Sequence, residues 1–84
     1  MNLTINTFSV NPLQVNCYVV SDETKEAVVI DCGCSTESEW NEIKAYAESE
    51  GLTLTHHLCT HLHFDHVWGC AYLFRDFQLY PEAN

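Results

Sequence analysis

Basic residues are scarce in this chain, and their scarcity excludes whole classes of partner. The 84 residues include three lysines and arginines against twelve aspartates and glutamates, so the formal net charge is −9 at pH 7. Nucleic acids and anionic membrane surfaces are bound through clusters of positive charge. We therefore expect that the chain binds neither nucleic acid nor membrane.

Glycine and proline are also sparse, and the chain has no low-complexity segment. Three glycines and two prolines are too few for a flexible linker, and hydrophobic residues make up 46% of the chain. This composition predicts a folded globular unit. We interpret residues 1–84 as one small domain, which on folding buries only about 60–65% of the surface of its unfolded chain.

Long apolar runs are absent as well. The chain has no basic start followed by an apolar stretch, and no segment approaches the roughly 20 apolar residues that cross a bilayer. We expect neither a signal peptide nor a transmembrane helix. The five cysteines form an odd-numbered set without the spacing of a disulfide framework. Together these features favour a cytoplasmic protein with reduced thiols.

The individual cysteines favour structural roles. Cys17 and Cys59 lie in apolar segments typical of strands, where a reduced cysteine behaves as a small hydrophobic residue. Cys32 and Cys34 are separated by one glycine, and this spacing suits neither a zinc site nor a relaxed disulfide. We interpret that pair as part of a turn.

Alternating polar and apolar residues, together with β-branched residues, predict the strands. The polar segment 21–26 joins the second and third strands, which predicts an antiparallel hairpin with a loose turn. The expected strands are 2–8, 15–20, 27–30 and 52–59, with a further strand beginning over 78–80.

Two helices are expected, over 37–49 and over 66–74. Thr36 followed by Glu39 is a capping-box signal that marks the start of the first helix. Apolar residues then recur at helical spacing, and we expect them to face the core. They are Trp40, Ile43 and Ala47 in the first helix and Val67, Ala71 and Phe74 in the second.

The strongest functional signal is the run from Thr60 to His66, which holds three histidines and one aspartate. Imidazole nitrogen and carboxylate oxygen suit zinc and related divalent ions. In an extended segment, His61 and His63 project to the same side and can reach one ion. Asp65 and His66 point to a second, neighbouring ion. This density of ligands favours metal binding over the alternative in which Asp65 only caps the following helix.

Two further histidines precede this run within the predicted strand. His56 and His57 are adjacent, so one faces each side of the strand. We interpret both as structural residues.

The spacing His61-x-His63-x-Asp65-His66, preceded by Thr60, resembles the metal signature of the metallo-β-lactamase superfamily. Residues 11–20 and 27–33 resemble the first strands of its glyoxalase II-like hydrolases, and the resemblance covers all 84 residues. It implies an α+β fold with a mixed, mostly antiparallel sheet and two helices. This unit would be the amino-terminal half of a four-layer αβ/βα sandwich.

The resemblance also implies a metal centre between the two halves of that sandwich. His61 and His63 would bind the first ion, and Asp65 and His66 would bind the second. Two zinc ions are the implied cofactors, with iron or manganese as alternatives. Asp65 is the implied catalytic residue, because it would also orient the attacking water. Two further histidines and a bridging aspartate complete the family's sites, and they would follow position 84.

The activity implied by the resemblance is metal-dependent hydrolysis of small-molecule thioesters or esters, as in hydroxyacylglutathione hydrolases. A catalytic zinc usually has three protein ligands, whereas this chain offers two per ion, so we expect it to be inactive or weakly active alone. Two alternatives stay open. One is an iron-dependent persulfide dioxygenase or flavodiiron-type member of the same fold. The other is a non-catalytic metal-binding or association module, whose homo-oligomer would cover the exposed sheet face.

Overall fold

The computed structural model describes residues 3–59, 70–79 and 81–83, and for the last of these ranges the backbone alone. Five strands and two helices fall within these residues. The strands are β1 (Thr4–Val10), β2 (Val15–Ser21), β3 (Glu26–Ile30), β4 (Thr53–Cys59) and β5 (Pro81–Ala83), and the helices are α1 (Glu37–Ser49) and α2 (Cys70–Phe77).

The described strands form one mixed sheet in the order β1-β2-β3-β4-β5. β2 pairs antiparallel with both β1 and β3, while β4 pairs parallel with both β3 and β5. A parallel pair needs a crossover connection, and α1 provides it between β3 and β4. The α+β class, the mixed sheet, the two helices and the β2–β3 hairpin are therefore confirmed.

The boundaries of the outer strands differ from the expectation. β1 continues to Val10, because Asn11 is the first residue with a positive φ, at 57°. Residues 78 and 79 are not in a strand, and the last strand pairs instead over Pro81–Ala83. Neither helix in the described part of the chain is long and apolar enough to span a membrane.

Both helices pack against one face of the sheet. Trp40 is fully buried, with its indole stacked on Tyr72 at a centroid distance of 6.3 Å and edge-on to Phe77 at 6.0 Å. The predicted core stripe of α1 is therefore confirmed. The buried cluster around it includes Val19, Val29, Trp40, Ile43, Ala47, Leu54 and Leu73.

The predicted apolar face of α2 is wrong. Ala71 is exposed and Phe74 is 46% exposed, whereas Leu73 is fully buried. The aromatic surface of α1 decides this orientation, because Tyr72 and Phe77 must both reach Trp40. Val67, the third residue of the predicted face, lies outside the described residues.

The start of α1 also fixes the loops that enter it. Thr36 caps the helix, since its hydroxyl oxygen accepts a hydrogen bond from the backbone N–H of Glu39 at 3.2 Å. The Glu39 carboxylate accepts hydrogen bonds from the backbone N–H groups of Ser35 at 2.8 Å and Asn11 at 2.7 Å. In a capping box this side chain would accept from the capping residue itself. Here it ties the segment before the helix to the end of β1.

A carboxylate joins the two helices. Asp76 accepts a hydrogen bond from the indole nitrogen of Trp40 at 2.7 Å, and it also contacts Lys44 at 3.2 Å and Arg75 at 2.8 Å. The hydrogen bonds from Arg75, then Trp40 and then Lys44 hold the pKa of Asp76 well below its usual range. The folded chain therefore favours the ionised form of this carboxyl.

We predict that Asp76→Ala lowers the free energy of unfolding by about 1–3 kcal/mol, because it leaves the indole N–H without its charged acceptor. In the unfolded chain the carboxyl returns to its ordinary pKa of 3.8. The contribution is therefore complete at neutral pH and is lost as the pH falls below about 4.

Asp76→Asn keeps an acceptor oxygen, so it should cost less than the alanine variant and should remove this acid dependence. Urea unfolding followed by circular dichroism at neutral pH and near pH 3 measures both effects. Equal losses in the two variants would contradict the role of the hydrogen bond.

Candidate metal centre

The carboxyl ends of the parallel strands β3, β4 and β5 meet at one edge of the sheet. In sheets of this kind, ligands bind beyond the carboxyl ends of the strands. β4 ends at Cys59, directly before the histidine run, and α2 is described from Cys70 onward. In the sequence, the run therefore lies between a strand that ends at this edge and a helix.

The four predicted ligands themselves lie outside the described residues. They are His61, His63, Asp65 and His66. Their geometry stays a prediction, and the described residues nearest to them in the sequence are Cys59 and Cys70.

A β-bulge in β4 decides which side chains face the helices. Ala27 pairs with Leu54 and Val28 pairs with His56, so Thr55 is an extra residue in β4. The Thr55 hydroxyl donates a hydrogen bond to the carbonyl of Ala27 at 3.2 Å and holds the irregularity in place. Because side chains alternate along a strand, one extra residue reverses the faces of all residues that follow it.

The bulge turns His57 and Cys59 toward the helices. Leu54 is buried on that side, and after the bulge His57 and Cys59 are buried there too, at 0% and 2% exposure. His56 and Leu58 face the other side and are exposed. The expectation that the two adjacent histidines face opposite sides is confirmed.

Asp31 follows β3 at the same edge. It is buried, its φ is +58°, and its backbone N–H donates a hydrogen bond to the carbonyl of Leu58 at 2.9 Å. Aspartate is among the few residues other than glycine that adopt this left-handed conformation readily. The residue thus turns the chain out of the sheet and toward α1.

All five cysteines gather at this edge, and sequence reasoning missed it. They all lie among the described residues, no disulfide joins them, and four are buried while Cys70 is half-buried. The sulfur atoms of Cys32 and Cys34 are 3.8 Å apart, and the Cys17 thiol hydrogen-bonds to Cys32. The Cys32–Cys34 segment has no regular secondary structure, and its two side chains point into the core.

His57 lies between these three cysteines and the other two, Cys59 and Cys70. Its Nε2 accepts a hydrogen bond from the backbone N–H of Cys32 at 3.4 Å and lies 3.8 Å from the sulfur of Cys59. One potential ligand atom from each of His57, Cys59 and Cys70 lies within 4.8 Å of the other two. These residues come from β4 and α2, so only the folded chain brings them together. The one signal in the sequence was that His57 and Cys59 lie two residues apart in a predicted strand, so their side chains face the same side.

Burial and neighbouring thiols set the protonation of the cluster. Hydrogen bonds from Cys17 and then Cys34 lower the pKa of Cys32, and the same contacts together with burial raise the pKa of Cys17 and Cys34. Cys32 is therefore the first of these three thiols to ionise. Burial also lowers the pKa of His57, so its imidazole is neutral at pH 7.

The neutral imidazole of His57 holds an unusual position. Because Nε2 accepts a hydrogen bond, the proton of the neutral ring lies on Nδ1. Nδ1 is buried and has no hydrogen-bond partner among the described residues. A buried polar group without a partner costs about 1–3 kcal/mol. Packing alone does not explain why a histidine occupies this position.

A cavity of about 260 Å³ lies elsewhere on the molecule and does not belong to this centre. It is lined by residues of the β2–β3 turn, including Asp22 and Thr24, and by the exposed His56. β3 begins beside that turn, so the cavity lies toward the opposite edge of the sheet from the histidine run.

We predict that Cys70 is the first thiol of the native, metal-free chain to react with iodoacetamide, because the other four cysteines are buried. Burial raises the pKa of Cys70 to about 11, so the reaction should be slow at neutral pH and accelerate toward that pH. Peptide mass spectrometry identifies the modified residue. Cys70→Ser should abolish the first product, whereas Cys34→Ser, a matched variant of a buried thiol, should leave it. Modification of Cys17 or Cys59 as fast as Cys70 would contradict the burial.

Comparisons with known proteins agree with this architecture. A family model described as the metallo-beta-lactamase superfamily matches residues 10–81. Among solved structures, the chain is similar to the BLEG-1 B3 metallo-beta-lactamase, with 28% identity, a TM-score of 0.80 and coverage of 93% of this chain and 35% of that one. A search of curated proteins found no match.

Two further structures are similar to this chain. ETHE1 from Myxococcus xanthus is 25% identical with a TM-score of 0.75, over 93% of this chain and 34% of that one. TTHA1623 in a di-iron-bound form is 34% identical with a TM-score of 0.72, over 90% of this chain and 36% of that one. The chain thus spans about a third of the length of each of the three structures. Because the family model matches most of its residues, the chain belongs to the metallo-β-lactamase superfamily.

Proposed function

We propose that this chain supplies the first group of metal ligands for a hydrolase of thioester or ester bonds. The observation that carries the proposal is the position of the histidine run between Cys59, the end of β4, and Cys70 in α2. A strand and a helix anchored in one core hold both ends of the run at the carboxyl edge of parallel strands. Rigid elements on both sides are what a precise metal site requires.

The predicted donors fit the proposed metals. Imidazole nitrogen from His61 and His63 would hold one ion, and Asp65 with His66 would hold the other, in a protein whose charge of −9 attracts cations. When bound, such ions supply Lewis acidity toward a substrate carbonyl and a lowered pKa for water. Asp65 would accept a hydrogen bond from the attacking water and orient it.

Basic residues that could recognise an acidic substrate are committed elsewhere in this chain. Arg75 contacts Glu37 at 2.6 Å, and Lys44 contacts Asp76 at 3.2 Å. Lys25 lies in the β2–β3 turn at the opposite edge of the sheet. We therefore propose that substrate binding depends on residues from the part of the family fold that the chain does not span, as does completion of each metal's ligand set.

An iron-dependent activity is the second candidate, and one observation favours it. Of the three structures compared, the one with the highest identity is a di-iron-bound form. Histidine and carboxylate ligands also bind iron in proteins. A persulfide dioxygenase or flavodiiron-type reaction would then replace hydrolysis, and the metal that the protein retains would separate the two candidates.

We predict that His61→Ala and His63→Ala each weaken zinc binding by more than the roughly 10–100-fold that loss of an outer-shell partner costs, because each removes a ligand. Equilibrium dialysis with zinc, and with ferrous iron under nitrogen, measures the affinity and the preferred ion. All variants carry Cys70→Ser, so that zinc held by thiols does not mask the loss of a histidine ligand. His56→Ala is the matched control, because His56 is an exposed histidine of β4 that faces away from the helices. Unchanged affinity in both His61 and His63 variants would refute the assignment of these ligands.

We predict little or no hydrolysis of a thioester, such as an S-acylglutathione, by the zinc-loaded 84-residue chain, since each ion has only two of its expected protein ligands. Any residual turnover should disappear in Asp65→Asn and persist in His56→Ala, with metal content measured in parallel. Fast turnover by the wild-type chain would overturn the expectation that it is inactive or weakly active alone. Oxygen consumption with a persulfide by the iron-loaded chain would favour the second candidate.

A further inference from the structure

We propose that His57, Cys59 and Cys70 bind a thiophilic metal ion, with Zn²⁺ as the best-fitting ion, at a site separate from the predicted His61–His66 centre. The donor set of this thiolate site is one imidazole and two sulfurs. Soft thiolate ligands select zinc and similar ions, and a set of two cysteines and one histidine leaves a fourth position open on zinc.

The distances already approach those of a coordinated ion. Zinc binds sulfur at about 2.3 Å and nitrogen at about 2.0–2.1 Å, so tetrahedral ligand atoms lie roughly 3.5–3.8 Å apart. The Nε2 of His57 and the sulfur of Cys59 are 3.8 Å apart in the metal-free chain. All three ligand atoms lie within 4.8 Å of one another. Closing the thiolate site therefore requires side-chain movements of about 1 Å and no change of fold.

Two rigid elements hold the three donors. The Thr55 bulge turns His57 and Cys59 to the same side of β4, and Cys70 approaches from α2, whose Leu73 is anchored in the core. The donors are buried or half-buried, so a bound ion would be shielded from water. Exposed clusters of acidic side chains are common without a metal, whereas a buried imidazole between two thiols has few structural uses.

His57 supplies the independent observation. Its ring is fully buried, yet its backbone contact is the long 3.4 Å hydrogen bond from Cys32, and Nδ1 has no hydrogen-bond partner in the described ranges. A cation bound at Nε2 would replace this long hydrogen bond with a metal–nitrogen bond, and the two sulfurs would share the same ion. A purely structural role for His57 explains neither the long hydrogen bond at Nε2 nor the choice of a histidine at a fully buried position.

Binding at this site is a simple exchange of protons for a metal ion. The imidazole of His57 is neutral, and each thiol loses its proton when its sulfur binds the metal. One divalent ion therefore displaces two protons, and no oxidant or reductant takes part. The ion would join the end of β4 to α2 and so fix both ends of the segment that carries the predicted catalytic ligands.

Cobalt distinguishes this site from the histidine run. Only thiolate ligation gives a sulfur-to-cobalt charge-transfer band in the near ultraviolet, and the run from His61 to His66 contains no sulfur. We would titrate Co²⁺ into the full 84-residue chain, reduced with a phosphine, and then displace it with Zn²⁺. We expect the band to saturate at one equivalent and to persist in a His61→Ala/His63→Ala double variant.

Variants of the three donors complete the test. Cys70→Ser should remove or greatly weaken the band, and because Cys70 is only half-buried this variant should fold, which circular dichroism verifies. His57→Gln should keep a band but weaken cobalt binding at least about tenfold. Cys34→Ser is the matched control, since Cys34 is a buried thiol outside the trio, and it should retain the band.

Three results would overturn the assignment of the metal to these donors, and a fourth would overturn their separation from the predicted centre. The three are the absence of a charge-transfer band in the wild-type chain, a band of undiminished intensity in Cys70→Ser, and loss of the band in Cys34→Ser but not in Cys70→Ser. The last result would assign the metal to Cys17, Cys32 and Cys34 instead. A band that requires His61 and His63 would show that the sulfurs belong to the predicted centre and not to a separate site.

Discussion

The pairing of β3 with β4 is the constraint on which the rest of this structure depends. The two strands run parallel, so their carboxyl ends meet at one edge, and α1 must cross over the sheet to connect them. Thr55 interrupts their register and decides which side chains of β4 enter the core. If the register were unbroken, the residues that share a face with Leu54 would be His56 and Leu58. The buried thiols and Asp31 take their positions from this one pairing.

Local signals in the sequence were sufficient for the elements that depend on them. Thr36 and the apolar stripe through Trp40 predict α1 with its observed limits, since capping and helical spacing act within a few residues. The β2–β3 hairpin is predicted by two β-branched runs around a polar segment. In each case the residues that carry the signal are also neighbours along the chain.

The remaining features depend on contacts between distant residues. The orientation of α2 follows from Trp40, which lies 32 positions before Tyr72, and no periodicity within α2 records that contact. The clustering of the cysteines could not be predicted either, because the sequence around each one indicates only a small hydrophobic residue. Cys17, Cys32 and Cys59 come from three different strands or strand ends, and the sheet order alone brings them to one edge. The bulge at Thr55 could not be predicted either, because no glycine, proline or other turn residue lies next to it in the sequence.

The backbone conformation of Asp31 limits which amino acids can replace it. With a φ of +58°, the position disfavours most side chains by roughly 1–2 kcal/mol, and β-branched residues are the worst suited. Glycine would relieve the backbone but would remove the buried carboxylate, while asparagine would keep the turn without the charge. The backbone conformation and the buried charge therefore each restrict which amino acids can occupy position 31. Aspartate satisfies both restrictions, so we expect substitutions at this position to be rarer than its burial alone would suggest.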